Sequence, residues 1–155
     1  MTDRIKEKWK MISKYMNEFE IIYHQIANYY NLSDSGFWIL YALCENEDGC
    51  TQKELYEDWC FNKQTINSSV KDLKNKGYIC LEYLDDNKKF KKIKLTEKGK
   101  EITKDTIEKV MEAEKNSFAN VDEKEMDIVM EFFRKQVISF KNEVNKEIYK
   151  ENIEE

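Results

Sequence analysis

The chain has 155 residues, of which 41% are hydrophobic and 37% are charged, and its formal net charge is −5. This length suits one ordinary domain, and four glycines with no proline exclude the turn-dense all-β folds. Eight Phe, nine Tyr and three Trp exclude a compositionally disordered chain, so the composition predicts a compact and mostly helical protein.

A heptad pattern runs through the first segment. Apolar residues recur from Ile5 to Tyr30 in steps of four and three, which is the spacing of one helix face. We therefore expect one long helix over about residues 3–30. Its apolar face is wide and must be covered by another helix, from this chain or from a partner.

Capping residues divide the segment that follows. Ser33 or Asp34 is suited to cap a helix that ends near Asp48-Gly49. The run Thr51-Gln52-Lys53-Glu54 has the pattern of a capping box and predicts a short helix from Thr51.

A third short helix and a hairpin come next. Asn62 caps this helix and Gly77 stops it, and a tight turn over residues 60–62 joins it to the helix before, as in a helix-turn-helix. After Gly77 the apolar period becomes that of strands, over residues 79–84 and 90–95, and polar residues 85–89 link the two as a β-hairpin.

The last third of the chain is helical again. Thr96 caps a helix that continues through Phe118, and after a break at residues 120–122 Asp122 caps a final helix. The apolar stripe of that helix extends from Met126 to Ile148.

This order of elements predicts a mostly α-helical fold with a small β-hairpin wing: a winged helix-turn-helix flanked by N- and C-terminal dimerisation helices. We expect a single domain over residues 1–155, with residues 32–100 as the DNA-binding lobe and residues 1–31 and 101–150 as dimerisation helices. The apolar area of the terminal helices exceeds what one small winged domain covers, which favours a homodimer. Its interface is expected to use Ile5, Trp9, Ile12, Met16, Phe19, Phe133, Val137, Phe140, Val144 and Ile148.

Positive charge is concentrated in the middle of the chain. Residues 62–100 carry eleven Lys and five Asp or Glu, whereas residues 1–61 and 101–155 have net charges of −5 and −6. A basic island in an acidic chain favours an anionic polymer as partner. Composition alone leaves a second interpretation open, a solvated lysine-rich hairpin without a partner.

The helix after Asn62 has two chemically distinct faces. Ile66, Val70 and Leu73 lie on one side at helical spacing and are expected in the core. The other side carries amides, hydroxyls and lysines, the groups that read base edges and bind phosphates; an ordinary solvated helix face is the alternative. The DNA-contacting residues expected from this helix are Asn62, Lys63, Gln64, Thr65, Asn67, Ser68, Lys71, Lys74 and Asn75.

The hairpin adds a cluster of lysines beside that helix. A basic wing next to a helix-turn-helix is well placed to contact phosphates or to enter a minor groove. Lysines also protect an edge strand from pairing, but five within seven positions favour DNA contact. We expect this contact from Lys88, Lys89, Lys91 and Lys92, with Lys94 completing the cluster.

Four motifs follow one another along the chain: Thr51-Gln52-Lys53-Glu54-Leu55, residues 62–67, residues 72–79 and Leu95-Thr96-Glu97-Lys98-Gly99. In this order the sequence resembles the MarR family of winged-helix transcriptional regulators, over nearly the whole chain. The family's wing usually carries Asp-x-Arg, and the corresponding positions here are Asn87 and Lys89. The resemblance implies a homodimer built from the first and last helices, bound to a pseudo-palindromic double-stranded DNA operator as a transcriptional regulator such as a repressor.

Members of the family often respond to small phenolic ligands, metals or oxidants, so a small aromatic effector is a further candidate partner. Its site would be lined by aromatic residues, for which ordinary core packing is the alternative. Oxidant sensing by Cys50 or Cys60 is a weaker alternative. The aromatic candidates are Tyr15, Phe19, Phe37, Trp38, Tyr41, Trp59 and Phe61.

Other function classes have weaker signals. His24 has no nucleophile at a useful spacing, so we expect no enzyme, catalytic residue or cofactor. The four cysteines match no zinc-ligand pattern, which leaves a zinc site as a minor alternative. No apolar run is long enough for a membrane span, and no signal peptide is evident, which predicts a cytoplasmic protein. A winged-helix module that binds protein and not DNA is the alternative function.

Overall fold

The computed structural model describes residues 2–58, 62–83 and 91–149. Helices and a small sheet alternate as predicted, which confirms the fold class, and no helix within these residues is long and apolar enough to cross a membrane. The elements are α1 (Asp3–Tyr29), α2 (Asp34–Glu45), β1 (Cys50–Thr51), α3 (Gln52–Asp58), α4 (Lys63–Asn75), β2 (Ile79–Tyr83), β3 (Lys91–Leu95), α5 (Glu97–Asp105), α6 (Ile107–Ser117) and α7 (Glu123–Val144), followed by a π-helical turn (Asn145–Tyr149).

Side-chain caps start the helices where the sequence predicts them. The capping box of α3 is closed in both directions, because Thr51 N–H donates to Glu54 Oε2 at 2.6 Å and Glu54 N–H donates to Thr51 Oγ1 at 3.2 Å. At α4, Thr65 N–H donates to Asn62 Oδ1 at 2.8 Å. The N-caps of α2, α5 and α7 are Ser33, Thr96 and Asp122.

The short strand β1 is not predicted from the sequence. Cys50 lies opposite Ile93 and Thr51 opposite Lys92, so β1 pairs antiparallel with β3 and the sheet has the order β1-β3-β2. A strand of two residues has no alternation to read from sequence. Gly49 permits the approach, because its φ is +83° and a Cβ there would collide with the carbonyl oxygen of Ile93.

The continuous helix predicted from Thr96 through Phe118 is wrong, because the chain forms α5 and α6 with a break at Thr106. Thr106 has φ −121° and ψ −82°, and its hydroxyl donates to the carbonyl oxygen of Ile102 at 2.7 Å. The hydroxyl of Thr103 likewise donates to the carbonyl oxygen of Lys100 at 3.1 Å. Hydroxyls that bond to nearby backbone carbonyls compete with the helical ladder. The end of α2 also differs from prediction, since it ends at Glu45 and not near residues 48–49.

The chain divides into two compact units after Glu112. The first unit holds the hydrophobic core, and the second contains the end of α6 and all of α7, in which no residue is buried. The large side chains most completely buried in the core are Phe37, Ile39, Leu40, Leu43, Leu55, Ile66, Leu73, Ile93 and Ile107.

Candidate nucleic-acid interface

The rotation of α4 about its own axis is fixed by its buried side. Ile66, Val70 and Leu73 are buried, as their spacing predicts. Ser69 is buried beside them, and its Oγ lies 2.5 Å from Ser35 Oγ of α2. Apolar packing and a buried hydroxyl pair therefore hold α4 against α2, and this contact determines which α4 residues face outward.

The outward side of α4 carries the predicted polar residues. Asp72 is also on the exposed side, which the sequence analysis does not note, and its Oδ2 lies 2.8 Å from Lys76 Nζ. That ion pair offsets the only carboxylate within α4. The exposed members of the predicted DNA-contact set are Asn62, Lys63, Gln64, Asn67, Ser68, Lys71, Lys74 and Asn75.

Hydrogen bonds at the start of α4 limit what Asn62, Thr65 and Ser68 of the predicted DNA-contact set offer a partner. Asn62 Oδ1 accepts from the backbone N–H and the hydroxyl of Thr65, at 2.8 and 2.9 Å. Thr65 is half-buried and its hydroxyl proton belongs to the cap. Ser68 Oγ donates to the carbonyl oxygen of Thr65 at 2.9 Å. Asn62 therefore presents its N–H groups outward, whereas Ser68 presents acceptor lone pairs.

A groove of about 620 Å³ lies between α3, α4 and β3. Gln52 Nε2 of α3 donates to Asn67 Oδ1 of α4 at 3.0 Å, and Lys63 Nζ lies 5.1 Å from the ring centroid of Tyr56. Neither Gln52 nor Tyr56 is among the DNA-contacting residues expected from the sequence. Their spacing of four residues places both on the same side of α3 and is the signal that could have found them.

The wing is an antiparallel pair in which Tyr83 lies opposite Lys91 and Glu82 opposite Lys92. Lys91 Nζ lies 5.1 Å from the ring centroid of Tyr83. Lys94 Nζ lies 2.7 Å from Glu82 Oε2, and this hydrogen bond raises the pKa of Lys94. Lys91 and Lys92 are thus the described wing lysines of the predicted set. Lys88, Lys89 and Asn87 lie outside the described residues.

Lys92 lies near the start of α3. The pKa of Glu54 is lowered first by the backbone and side-chain hydrogen bonds from Thr51, and the charges of Lys92 and Lys53 lower it further. The positive charge of Lys92 on the wing therefore acts on a carboxylate in the first turn of α3.

Part of the basic island binds groups of the protein itself. Lys98 Nζ donates to the carbonyl oxygen of Lys76 at 2.7 Å, beyond the left-handed turn at Gly77, whose φ is +75°. Lys100 Nζ lies 2.8 Å from Glu97 Oε1, and this hydrogen bond raises the pKa of Lys100. With Lys76 and Lys94 also paired, the outward charge among the described residues comes chiefly from the exposed Lys63, Lys71, Lys74 and Lys91, and Lys92 is half-buried.

Seven of the ten residues expected at the dimer interface are exposed to solvent in the single chain. On α1, Phe19 is 62% exposed and Ile5 is 56% exposed; on α7, Phe140 is 66% exposed. Trp9, Met16, Val137 and Ile148 are also exposed, whereas Ile12, Phe133 and Val144 are half-buried.

The aromatic candidates separate into two groups. Phe37, Trp38 and Tyr41 of α2 pack with Tyr23 of α1, with ring centroids 4.7–6.3 Å apart. A cleft of about 260 Å³ opens beside Tyr23, Phe37 and Trp38. Tyr15 and Phe19 are exposed on α1, and Trp59 and Phe61 lie outside the described residues.

The histidine and the described cysteines considered as candidate functional residues are hydrogen-bonded or at least partly buried. His24 Nδ1 lies 2.8 Å from Asp34 Oδ1 and His24 Nε2 lies 2.8 Å from Asn28 Nδ2, so both ring nitrogens are engaged. Burial raises the pKa of the Cys44 thiol and Cys50 is buried; Cys60 lies outside the described part of the chain. Among the described residues, no group of His, Cys, Asp or Glu is arranged to hold a metal ion.

Comparison with known proteins gives a consistent result. The sequence model of the MarR family matches residues 30–85, and no curated protein matches the chain. A MarR family regulator from Neisseria meningitidis has 21% identity and a TM-score of 0.74, over 90% of this chain and 97% of its own. The transcription regulator MarR from Oenococcus oeni has 13% identity and a TM-score of 0.69, over 83% and 96%. A MarR protein from Peptoclostridium difficile has 23% identity and a TM-score of 0.61, over 94% and 93%. Residues 30–85 thus match the MarR family model, and the chain has the winged helix-turn-helix fold of the MarR family regulators whose structures it resembles.

Proposed function

We propose that the protein is a transcriptional regulator that binds double-stranded DNA as a homodimer on a pseudo-palindromic operator. The observation that carries this proposal is the outward side of α4, which presents amides, a hydroxyl and lysines, with its one carboxylate paired to Lys76. These groups match base edges and phosphates. A recognition helix of this kind enters the major groove with its N-terminal half toward the bases.

The wing supports the proposal by its charge and position. Lys91 and Lys92 lie on β3, and Lys91 lines the groove between α3 and α4. Lysine is a flexible point charge suited to phosphate, so the wing lysines supply affinity that does not depend on sequence. Gln64, Asn67 and Ser68 occupy the exposed first half of α4 and supply sequence preference.

The exposed apolar residues of α1 and α7 support a homodimer. Monomeric proteins rarely leave contiguous apolar patches of large side chains open to water, yet Phe19 is 62% exposed and Phe140 is 66% exposed. A second copy of the chain carries the same faces, and a two-fold dimer buries them reciprocally. Such a dimer also provides the two recognition helices that a pseudo-palindromic operator requires.

A small aromatic effector belongs to the same proposal. The cleft beside Phe37 and Trp38 combines an aromatic side, completed by Tyr23, with the polar groups of Glu20, His24 and Asp34, and its volume of about 260 Å³ accommodates a single aromatic ring. Titration with a small phenol would quench tryptophan fluorescence in the wild type and would not do so in a Trp38→Phe variant. Equal quenching in both proteins would remove the effector from the proposal.

Selection of binding sites from random double-stranded DNA tests the proposed function. We expect enrichment of a pseudo-palindromic sequence, with an affinity that falls with salt at a logarithmic slope of roughly −5 or beyond, since a dimer doubles every phosphate contact. Light scattering is expected to give about twice the chain mass of 18.7 kDa. No enrichment, together with the absence of a DNA affinity that weakens steeply with salt, would favour the alternative, a winged-helix module that binds protein. A monomer at micromolar concentration would refute the dimer.

A further inference from the structure

We propose that Gln52 determines which base Asn67 reads, by turning the Asn67 carboxamide so that its N–H groups face the DNA. This inference rests on the proposed function, because it concerns the same recognition surface. It assigns a specificity-determining role to α3, the helix that precedes the recognition helix and that carries none of the predicted DNA contacts.

The geometry of the pair is direct. Gln52 is the first residue of α3 and Asn67 is exposed on α4, and Gln52 Nε2 donates to Asn67 Oδ1 at 3.0 Å. The oxygen and the nitrogen of a carboxamide point in different directions from its planar carbon, and only the nitrogen carries N–H donors. A hydrogen bond that holds Oδ1 toward α3 therefore directs Nδ2, with its two N–H donors, away from α3.

This orientation changes what Asn67 recognises. An unconstrained asparagine pairs bidentately with adenine, accepting from N6 with Oδ1 and donating to N7 with Nδ2. In this protein one lone pair of Asn67 Oδ1 already accepts from Gln52, so an adenine pair has only the second lone pair of an oxygen that is held toward α3. The N–H donors of Asn67 instead suit a base edge that presents acceptors, which in the major groove means O6 and N7 of guanine or O4 of thymine. We expect guanine or thymine at the position that Asn67 reads.

A purely structural role for Gln52 makes a different prediction. If the pair only braced α3 against α4, its loss would weaken binding to every DNA sequence by the same factor. A role in recognition changes the preferred base at one operator position and leaves the other positions unaltered. Base preference is therefore the readout that separates the two roles.

The test compares base preference in the full chain, wild type and variants, by selection from random double-stranded DNA. An Asn67→Ala variant identifies the position that Asn67 reads. In Gln52→Glu the carboxylate only accepts, so Asn67 Nδ2 turns toward α3 and Oδ1 faces the DNA. We expect the preferred base to change to one that presents a donor, cytosine or adenine, with about a three- to tenfold change in relative affinity, the range of one hydrogen bond.

Two further variants keep the result interpretable. Lys53→Gln is the matched control, because it changes the charge by the same amount at the adjacent position without altering the Asn67 contact. It is expected to weaken binding uniformly with unchanged base preference. Gln52→Ala is expected to relax the preference at the Asn67 position. Glutamate in the first turn is favourable to a helix, so α3 is expected to form in Gln52→Glu, which circular dichroism checks.

The outcomes separate this inference from the function on which it rests. If the wild type selects a DNA sequence and the Gln52 variants select the same base at the Asn67 position, the inference is overturned and the proposed function stands. If the wild type selects no sequence, both are overturned. A change of base confined to that position in Gln52→Glu, absent in Lys53→Gln, supports the inference.

Discussion

Replacing Ser69 by Ala is expected to destabilise the protein and loosen the recognition helix. The hydroxyls of Ser69 and Ser35 lie 2.5 Å apart, and the two residues are only 5% and 8% exposed. Removing one hydroxyl leaves the other buried without its partner, which costs about 1–3 kcal/mol. Alanine regains up to ~0.5 kcal/mol through its higher helix propensity. The net loss of unfolding free energy is then about 0.5–3 kcal/mol.

Urea unfolding of a double-mutant cycle tests this reasoning. The double variant Ser35→Ala/Ser69→Ala is expected to be more stable than the sum of its single variants by about 1 kcal/mol or more, because no buried hydroxyl is left unpaired. Ser68→Ala is the matched control on the same helix. Its hydroxyl is exposed, so the unfolding free energy is expected to change by no more than ~0.5 kcal/mol. If the losses of unfolding free energy in Ser35→Ala and Ser69→Ala simply add up in the double variant, the role given to the hydroxyl pair is refuted.

Three further changes test other parts of the structure. Gly99→Ala is expected to lower the unfolding free energy by about 1–3 kcal/mol, because its Cβ would overlap the carbonyl oxygen of Tyr78; an unchanged urea midpoint would contradict this. Glu82→Gln frees Lys94 for phosphate and is expected to steepen the salt slope of DNA binding by about one to two units per dimer; an unaltered slope would mean that Lys94 does not reach DNA. The pKa of Glu54 is lowered in the folded state, so its stabilising contribution is full above its ordinary pKa and is lost as pH falls through the lowered value. The stability difference between wild type and Glu54→Gln, from urea unfolding at several pH values, is therefore expected to shrink on acidification, and a difference independent of pH would contradict the assignment.

Local signals predict much of this fold because its helices start at side-chain caps. Asn62 and the Thr51–Glu54 pair are both identifiable from residue type and spacing, and both form the expected hydrogen bonds. The buried side of α4 is likewise set by a helical period, so its exposed polar residues follow from sequence. In each case the interacting residues lie within one or two helical turns of each other.

Contacts between distant segments could not be predicted in the same way. The pairing of β1 with β3 joins Cys50 to Ile93, and neither residue carries a signal of the other. The Gln52–Asn67 hydrogen bond depends on how α3 and α4 pack, because an exposed amide is compatible with many partners. The number of lysines also exceeds the charge that is open to a partner, since Lys94 binds Glu82 and Lys98 binds a backbone carbonyl.

Fluorescence anisotropy with operator and random DNA across a salt series tests the central claim, that α4 specifies sequence while the wing supplies charge. Gln64→Ala is expected to weaken operator binding by about 1–3 kcal/mol per half-site and to leave random DNA nearly unchanged. Lys91→Ala and Lys89→Ala are each expected to weaken both DNAs alike and to reduce the salt slope by about one to two units per dimer. Loss of sequence preference in the lysine variants, with only a uniform loss of affinity in Gln64→Ala, would contradict the account.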